Sequence, residues 1–166
     1  NPSLMRKAGA KNYELFSKKI LSVCKNKPVS LEVLSDDLNI MYDQAIKIHK
    51  WGKNVFVKVP LMNSKGQFTG RIIKKLNENK IKLNITAVYT ANQTEKILKL
   101  LNKKTDVIIS IFVGRAADNG KDPIPELKKS LKLAKNFKNV KILWASVREP
   151  YNYLQAKQLG CHIITI

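Results

Sequence analysis

The sequence predicts an α/β fold of the TIM (β/α)8 barrel type, and three observations predict it. Six short apolar or β-branched runs alternate with helical patterns, the signature of right-handed βαβ units and a parallel sheet. Polar residues recur at one place on successive strands: Glu32, Lys58, Asn84 and Ser110 are each 26 residues apart. Each lies at or near a strand's C-terminal end, and a β/α barrel gathers those ends at the mouth that carries its active site. Third, no glycine-rich phosphate fingerprint follows the first strand, as a doubly wound dinucleotide fold would require. A barrel closes with eight strands, and these 166 residues supply six and the tail of a seventh. The expectation is one domain over residues 1–166, a fragment of a longer barrel lacking the first strand and the last helix.

In order, Asn1-Pro2-Ser3-Leu4 reads as a loop. Residues 13–26 place Leu15, Phe16, Ile20, Leu21 and Cys24 at helical spacing, and Pro28 closes them. A short strand covers 29–33. Ser35 is the expected N-cap of a helix whose inner face is Leu38, Met41, Ala45, Ile46 and His49, ended by Gly52. A strand over 54–60 precedes a polar turn at 63–66 and a helix over 69–79. A strand over 81–88, a helix over 93–103 and an apolar strand over 107–113 follow. The longest loop is expected at 116–125, where Gly120 and two prolines fall. A helix over 126–137, a strand over 140–146, a helix over 150–159 and a strand over 161–166 complete the chain. The 36 residues from Ser110 to Ser146 keep the same beat once the loop is subtracted.

At 44% hydrophobic the chain has enough apolar surface for a sizeable core. No apolar run is long enough to span a membrane, so no membrane partner is expected. Cys24 and Cys161 are far apart and lack metal-ligand spacing, which fits a reducing, cytoplasmic location. The net charge of +19 raises a basic RNA-binding reading. Only Arg6, Arg71, Arg115 and Arg148 are arginine, however. The lysines coat almost every helical segment, and no aromatic stacking cluster accompanies them. A solvated lysine coat is the preferred reading, with no nucleic-acid partner. His49 and His162, the only histidines, have no metal-binding partner pattern and read as structural.

The stretch 54–60, Asn-Val-Phe-Val-Lys-Val-Pro, places one lysine inside a run that is apolar on both sides. Such a lysine either snorkels to water at the strand mouth or sits desolvated, where the neutral amine is favoured and attacks carbonyls.

Six stretches taken together resemble a transaldolase, a class I Schiff-base aldolase of the transaldolase/fructose-6-phosphate aldolase superfamily. They are Asn1-Pro2-Ser3-Leu4, Glu32-Val33, Val57-Lys58-Val59-Pro60, Leu83-Asn84-Ile85-Thr86, Ser110-Ile111-Phe112-Val113-Gly114-Arg115 and Ala145-Ser146-Val147-Arg148. The resemblance implies that Lys58 forms an imine with a ketose phosphate, holding a dihydroxyacetone unit for transfer to an aldose phosphate in the pentose phosphate pathway. It implies that Glu32 is the acid/base residue, working through a water shared with Thr86. Asn1 and Asn84 match residues that hold the hydroxyls of the bound unit, and Ser110 and Phe112 match the pocket wall. Arg115, Ser146 and Arg148 match the phosphate site, where a guanidinium fork suits a phosphate better than an ammonium does. No cofactor is implied; the expected partners are sugar phosphates, with a homo-oligomer left open. Alternatives stay open at single positions: Glu32 as a salt-bridge partner, Thr86 and Phe112 as core residues, Asn84 as a strand-end cap, and the two arginines as surface residues.

Ile111 departs from the family's usual proline. The family's first-strand aspartate, which serves aldol cleavage, falls outside these 166 residues, so imine formation is expected to survive better here than carbon–carbon cleavage. A fructose-6-phosphate aldolase is the nearest rival. Such relatives look to carry glutamine where Glu32 stands and tyrosine where Phe112 stands, so both positions favour the transferase.

Overall fold

A computed structural model describes residues 2–166. Its six strands are β1 (Val29–Glu32), β2 (Val55–Pro60), β3 (Leu83–Val88), β4 (Val107–Ile111), β5 (Val140–Trp144) and β6 (Ile163–Ile164). They form one sheet in the order of the chain, and every neighbouring pair is parallel. A doubly wound sheet would reverse its strand order at a switch point; this one does not. The helices are α1 (Pro2–Lys7), α2 (Tyr13–Cys24), α3 (Leu38–His49), α4 (Gly70–Glu78), α5 (Ala91–Leu98), α6 (Val113–Asp118), α7 (Ile124–Ala134) and α8 (Tyr151–Gln158).

Side chains alternate across a strand, so the sheet's two faces can be read from their contacts. Leu31, Val57, Val59, Leu83, Ile85, Val107, Ile109, Ile142 and Trp144 belong to the main core, packed against helix residues such as Met41, Ile73, Ile97 and Leu127. The other face has its own small apolar cluster, Phe56, Ile108, Leu143 and Ala145, and among the described residues no helix contributes to it. The helices therefore cover one face. The uncovered face is curled inward: Asn84 on β3 reaches Ser30 on β1 at 3.0 Å, across β2. Alternate strands of a flat sheet stand about 9.5 Å apart, so that bond requires curvature. The architecture is an α/β, curled parallel half-barrel, as in part of a TIM barrel.

Several boundaries differ from the sequence-based expectation. Residues 2–4 belong to helix α1, not a loop, Pro2 being well suited to a first helical turn. Asp37, not Ser35, caps α3, accepting from the amides of Asn39 and Ile40, while the Ser35 hydroxyl accepts from the Asp37 amide. α5 begins at Ala91 because Thr90 and Gln93 form a capping box. The strand expected over 107–113 ends at Ile111, and residues 113–118 of the expected strand and loop form α6. β5 stops at Trp144 because Ser146 takes φ 66°, outside the extended region. β6 has only two strand residues, although the amides of His162 and Thr165 extend its bonding to β5. The Nδ1 of His162, read as structural from the sequence, accepts from the Ile142 amide at 3.0 Å.

Candidate active site at the strand ends

β2 alternates by the rule of two. Val55, Val57 and Val59 are buried in the helix-side core, so Phe56 and Lys58 face the concave side. The ladder sets Glu32 beside Lys58 and Lys58 beside Asn84. Lys58 Nζ stands 3.9 Å from a Glu32 carboxylate oxygen, with the two side chains 24% and 31% exposed. That separation is an ion contact rather than a hydrogen bond, and neither group is fully withdrawn from water. The amine is thus neither snorkelled into bulk solvent nor dry. Behind Glu32, the Tyr13 hydroxyl donates to its carbonyl at 3.0 Å and accepts from its amide at 2.8 Å. Those bonds pin the end of β1 to helix α2, and burial raises the Tyr13 phenol above its ordinary pKa.

Asn84 is 4% exposed, and both ends of its amide are held. Its nitrogen donates to Ser30 Oγ at 3.0 Å, and its oxygen accepts from Ser110 Oγ at 2.7 Å. An amide has two donor hydrogens and two acceptor lone pairs, so one of each remains for another polar group. The even beat misplaces Ser110 slightly. Asn84 pairs with Ile108, and Ser110 lies two residues further along the same face, beside Leu143. Thr86 follows Asn84 on that face and is 4% exposed. Directly after it, Ala87 adopts φ 57° and the β3–β4 register shifts. A non-glycine residue in this left-handed region costs roughly 1–2 kcal/mol, and such local strain collects at functional sites.

Phe112, Arg115, Ser146 and Arg148 form a second group on the segments following β4 and β5. Phe112 is the N-cap of α6; it packs on the concave-face apolar cluster and meets Tyr89 edge-on at 5.8 Å. The Arg115 guanidinium lies 4.8 Å above the Phe112 ring. Phe112 therefore links Arg115 to the concave-face apolar cluster. Gly114 allows the Ser146 carbonyl to press against the start of α6; a Cβ there would meet that oxygen at 1.7 Å. Arg148 Nη1 reaches the carbonyls of Ser146 and Val147 at 3.3 and 3.4 Å, and its Nε donates to both Asp118 carboxylate oxygens at 2.9 and 3.1 Å. Bonding to Arg148 holds the Asp118 carboxyl below the usual carboxylate range and the guanidinium above its own.

The structure thus brings Lys58, Glu32, Asn84, Thr86 and Ser110 onto one face, with the Phe112–Arg148 group beside it. Asn1 lies outside the described residues. Sequence reasoning missed Ser30, Tyr13 and Asp118. Ser30 was legible, being two residues before Glu32 and so on the same face. Tyr13 and Asp118 carry no local signal, because their partners are 19 and 30 residues away. Burial pushes the Cys161 thiol up to about 11. A cleft of about 720 Å3 between α3 and α4 is lined by Asp37, Tyr42, Phe68 and Arg71 and takes in none of these residues.

A family model described as Transaldolase/Fructose-6-phosphate aldolase matches residues 1–166. The chain is 34% identical over 167 residues to a protein named probable transaldolase from Thermoanaerobacter sp. (strain X514), covering all of this chain and 73% of that one. It is 35% identical over 169 residues to a probable transaldolase from Thermoplasma volcanium, covering all of this chain and 72% of the relative. A probable transaldolase from Leptospira biflexa serovar Patoc is 35% identical over 167 residues, again across this whole chain and 73% of its own length.

Proposed function

This chain belongs to the transaldolase/fructose-6-phosphate aldolase family, and on that premise we propose that it is a transaldolase, passing a dihydroxyacetone unit between sugar phosphates through an imine on Lys58. The donor is a ketose phosphate, sedoheptulose 7-phosphate or fructose 6-phosphate, and the acceptor an aldose phosphate, as in the cytoplasmic pentose phosphate pathway. The observation that carries this reading is the placement of Lys58, on the concave face, in register between Glu32 and Asn84 and 3.9 Å from the carboxylate.

The unprotonated Lys58 amine adds to the ketose carbonyl at C2. Glu32 gives a proton to the resulting hydroxyl, which leaves as water, and a protonated imine remains. The C3–C4 bond then breaks as the C4 hydroxyl gives its proton, through water, to the Glu32 carboxylate left by the dehydration step. The bonding pair moves toward the iminium nitrogen, leaving an enamine on Lys58 and releasing an aldose phosphate. In the reverse sense, the enamine carbon attacks the acceptor aldehyde, and water restores the ketone and the free lysine. Asn84 has a donor and an acceptor to offer the hydroxyls of the bound three-carbon unit. Arg115 and Arg148 serve the distant phosphate, so binding energy far from the reacting carbons can align them.

The test is to incubate full-length protein with fructose 6-phosphate, reduce with borohydride and map the adduct by mass spectrometry. One three-carbon adduct is expected on Lys58. Lys58→Met is expected to abolish it and to lower turnover by about 10³-fold or more, the whole covalent route being removed. Adduct on another lysine, or full turnover by Lys58→Met, would refute the mechanism. Dihydroxyacetone accumulating from fructose 6-phosphate without an acceptor would assign the aldolase reaction instead.

A further inference from the structure

The two guanidiniums assigned to the phosphate are held very differently. Arg115 rests on the Phe112 ring. Arg148 is clamped: its Nε and Nη2 donate to the Asp118 carboxylate, and its Nη1 reaches two backbone carbonyls. Asp118 sits on α6, three residues after Arg115, whose charge also acts on it. One carboxylate thus stands between two cations delivered by successive strands.

We propose that Asp118 is a positioning residue of the phosphate site, fixing the Arg148 fork so that the protein prefers phosphorylated sugars over unphosphorylated ones. The inference rests on the transaldolase reading above and adds a specificity-determining residue to it. Guanidinium has five N–H donors in a rigid plane. The Asp118 contacts take Nε–H and one hydrogen of Nη2. The second Nη2–H and the long, weakly held Nη1 contacts leave the terminal edge of the fork for a phosphoryl group. A free arginine loses much rotamer freedom when it grips a phosphate; this one has lost most of it beforehand.

Charge and orientation make opposite predictions here. As a charge, Asp118 cancels one of two cations, so its removal would tighten phosphate binding. As an orienting group, its removal loosens Arg148 and weakens that binding. The clamp geometry favours orientation, because Nε and Nη2 both donate to the one carboxylate, a fork rather than a single contact.

The experiment measures kcat and KM of the full-length protein with fructose 6-phosphate, and kcat/KM with unphosphorylated fructose, for Asp118→Ala, Asp118→Asn and Arg148→Ala. Asp118 is half-exposed, so neither of its variants threatens the fold. Asp118→Ala is expected to raise KM for fructose 6-phosphate about tenfold, with kcat and the fructose reaction within about twofold of wild type, and Asp118→Asn to fall between. An unchanged or lower KM in Asp118→Ala, or a loss shared equally by fructose, would overturn the proposal. Arg148→Ala separates this failure from a failure of the parent reading. If it impairs both sugars equally, the phosphate-site assignment is itself wrong. If it is selective and Asp118→Ala is not, only the role of Asp118 falls.

Discussion

Gly114→Ala tests how the two strand-end segments are joined. Gly114 opens the first turn of α6, and a methyl there would stand 1.7 Å from the Ser146 carbonyl oxygen and 2.8 Å from its carbon. A carbon–oxygen contact settles near roughly 3.3 Å, so the two backbones would have to part by about 1.6 Å. Little gives way there. The Gly114 amide bonds the Ala145 carbonyl, the Ala145 amide bonds the Ile111 carbonyl, and Ser146 is already in the left-handed region. Overpacking costs about 1–3 kcal/mol, and a clash of backbone with backbone belongs at the upper end. For a chain of this size about 3 kcal/mol corresponds to a fall in Tm of roughly 6–12 °C. The same displacement moves a carbonyl that Arg148 contacts, so KM for fructose 6-phosphate should rise as well. Gly120→Ala is the control: its Cβ meets nothing within 4 Å, and only its φ of 69° opposes the change. It should cost roughly 1–2 kcal/mol and leave KM alone. Thermal unfolding followed by circular dichroism, with KM measured below the transition, decides the matter. Gly114→Ala with a wild-type Tm and KM would refute the clash argument.

Two further predictions concern the buried polar groups. Asn84→Ala removes the acceptor of the Ser110 hydroxyl and the donor to Ser30, leaving a buried polar atom unpaired at a cost of roughly 1–3 kcal/mol. Adding Ser110→Ala should then cost less than it does in wild type, and strict additivity in urea titrations would show that the two residues are not coupled. His49 has its imidazole pKa lowered, first by burial and then by the Lys82 and Lys50 charges, and its Nδ1 is buried without a hydrogen-bond partner among the described residues. The unfolded chain therefore binds that proton more readily. Stability should decline as pH falls below the ordinary imidazole value near 6.5. His49→Phe should flatten that decline, and an unaltered pH profile of the urea midpoint would refute the assignment.

The strand pattern was legible because each inner strand is buried on its helix side and nearly so on the other. β2 and β4 read as continuous apolar runs, and the lone Lys58 stands out against one of them. Glu32, Lys58 and Asn84 were legible as a row because the first three strands share one register. The row fails at Ser110, where the ladder runs two residues out of step, and spacing along the chain does not report such a shift. The α6 segment was unreadable for another reason. Its turn is set by the fit of Gly114 against Ser146, 32 residues away, while its local composition resembles a loop. The Asp118–Arg148 clamp is likewise a contact between two segments, with nothing in either to announce it.

The division of the sheet into two faces explains how polar residues can crowd the strand ends without unfolding them. The helix-side face carries the main core, including Ile85, Ile109 and Trp144, each no more than 2% exposed. A truncation such as Ile85→Ala draws on that core and should cost about 2–5 kcal/mol. The next residue, Thr86, points the other way; its carbonyl accepts from the Leu61 amide at 3.0 Å, while its hydroxyl makes no hydrogen bond among the described residues. Thr86→Val keeps its shape, so it should leave stability nearly unchanged while impairing proton transfer with Glu32. Below this polar layer, Phe56 stands two residues before Lys58 and packs with Ile108 and Leu143, forming an apolar floor. That floor limits the approach of water to the Lys58 stem from beneath and leaves its amine facing the carboxylate and the open mouth. The chemistry can therefore vary on one face while the other sustains the fold. A stability loss in Thr86→Val as large as that in Ile85→Ala would contradict this separation.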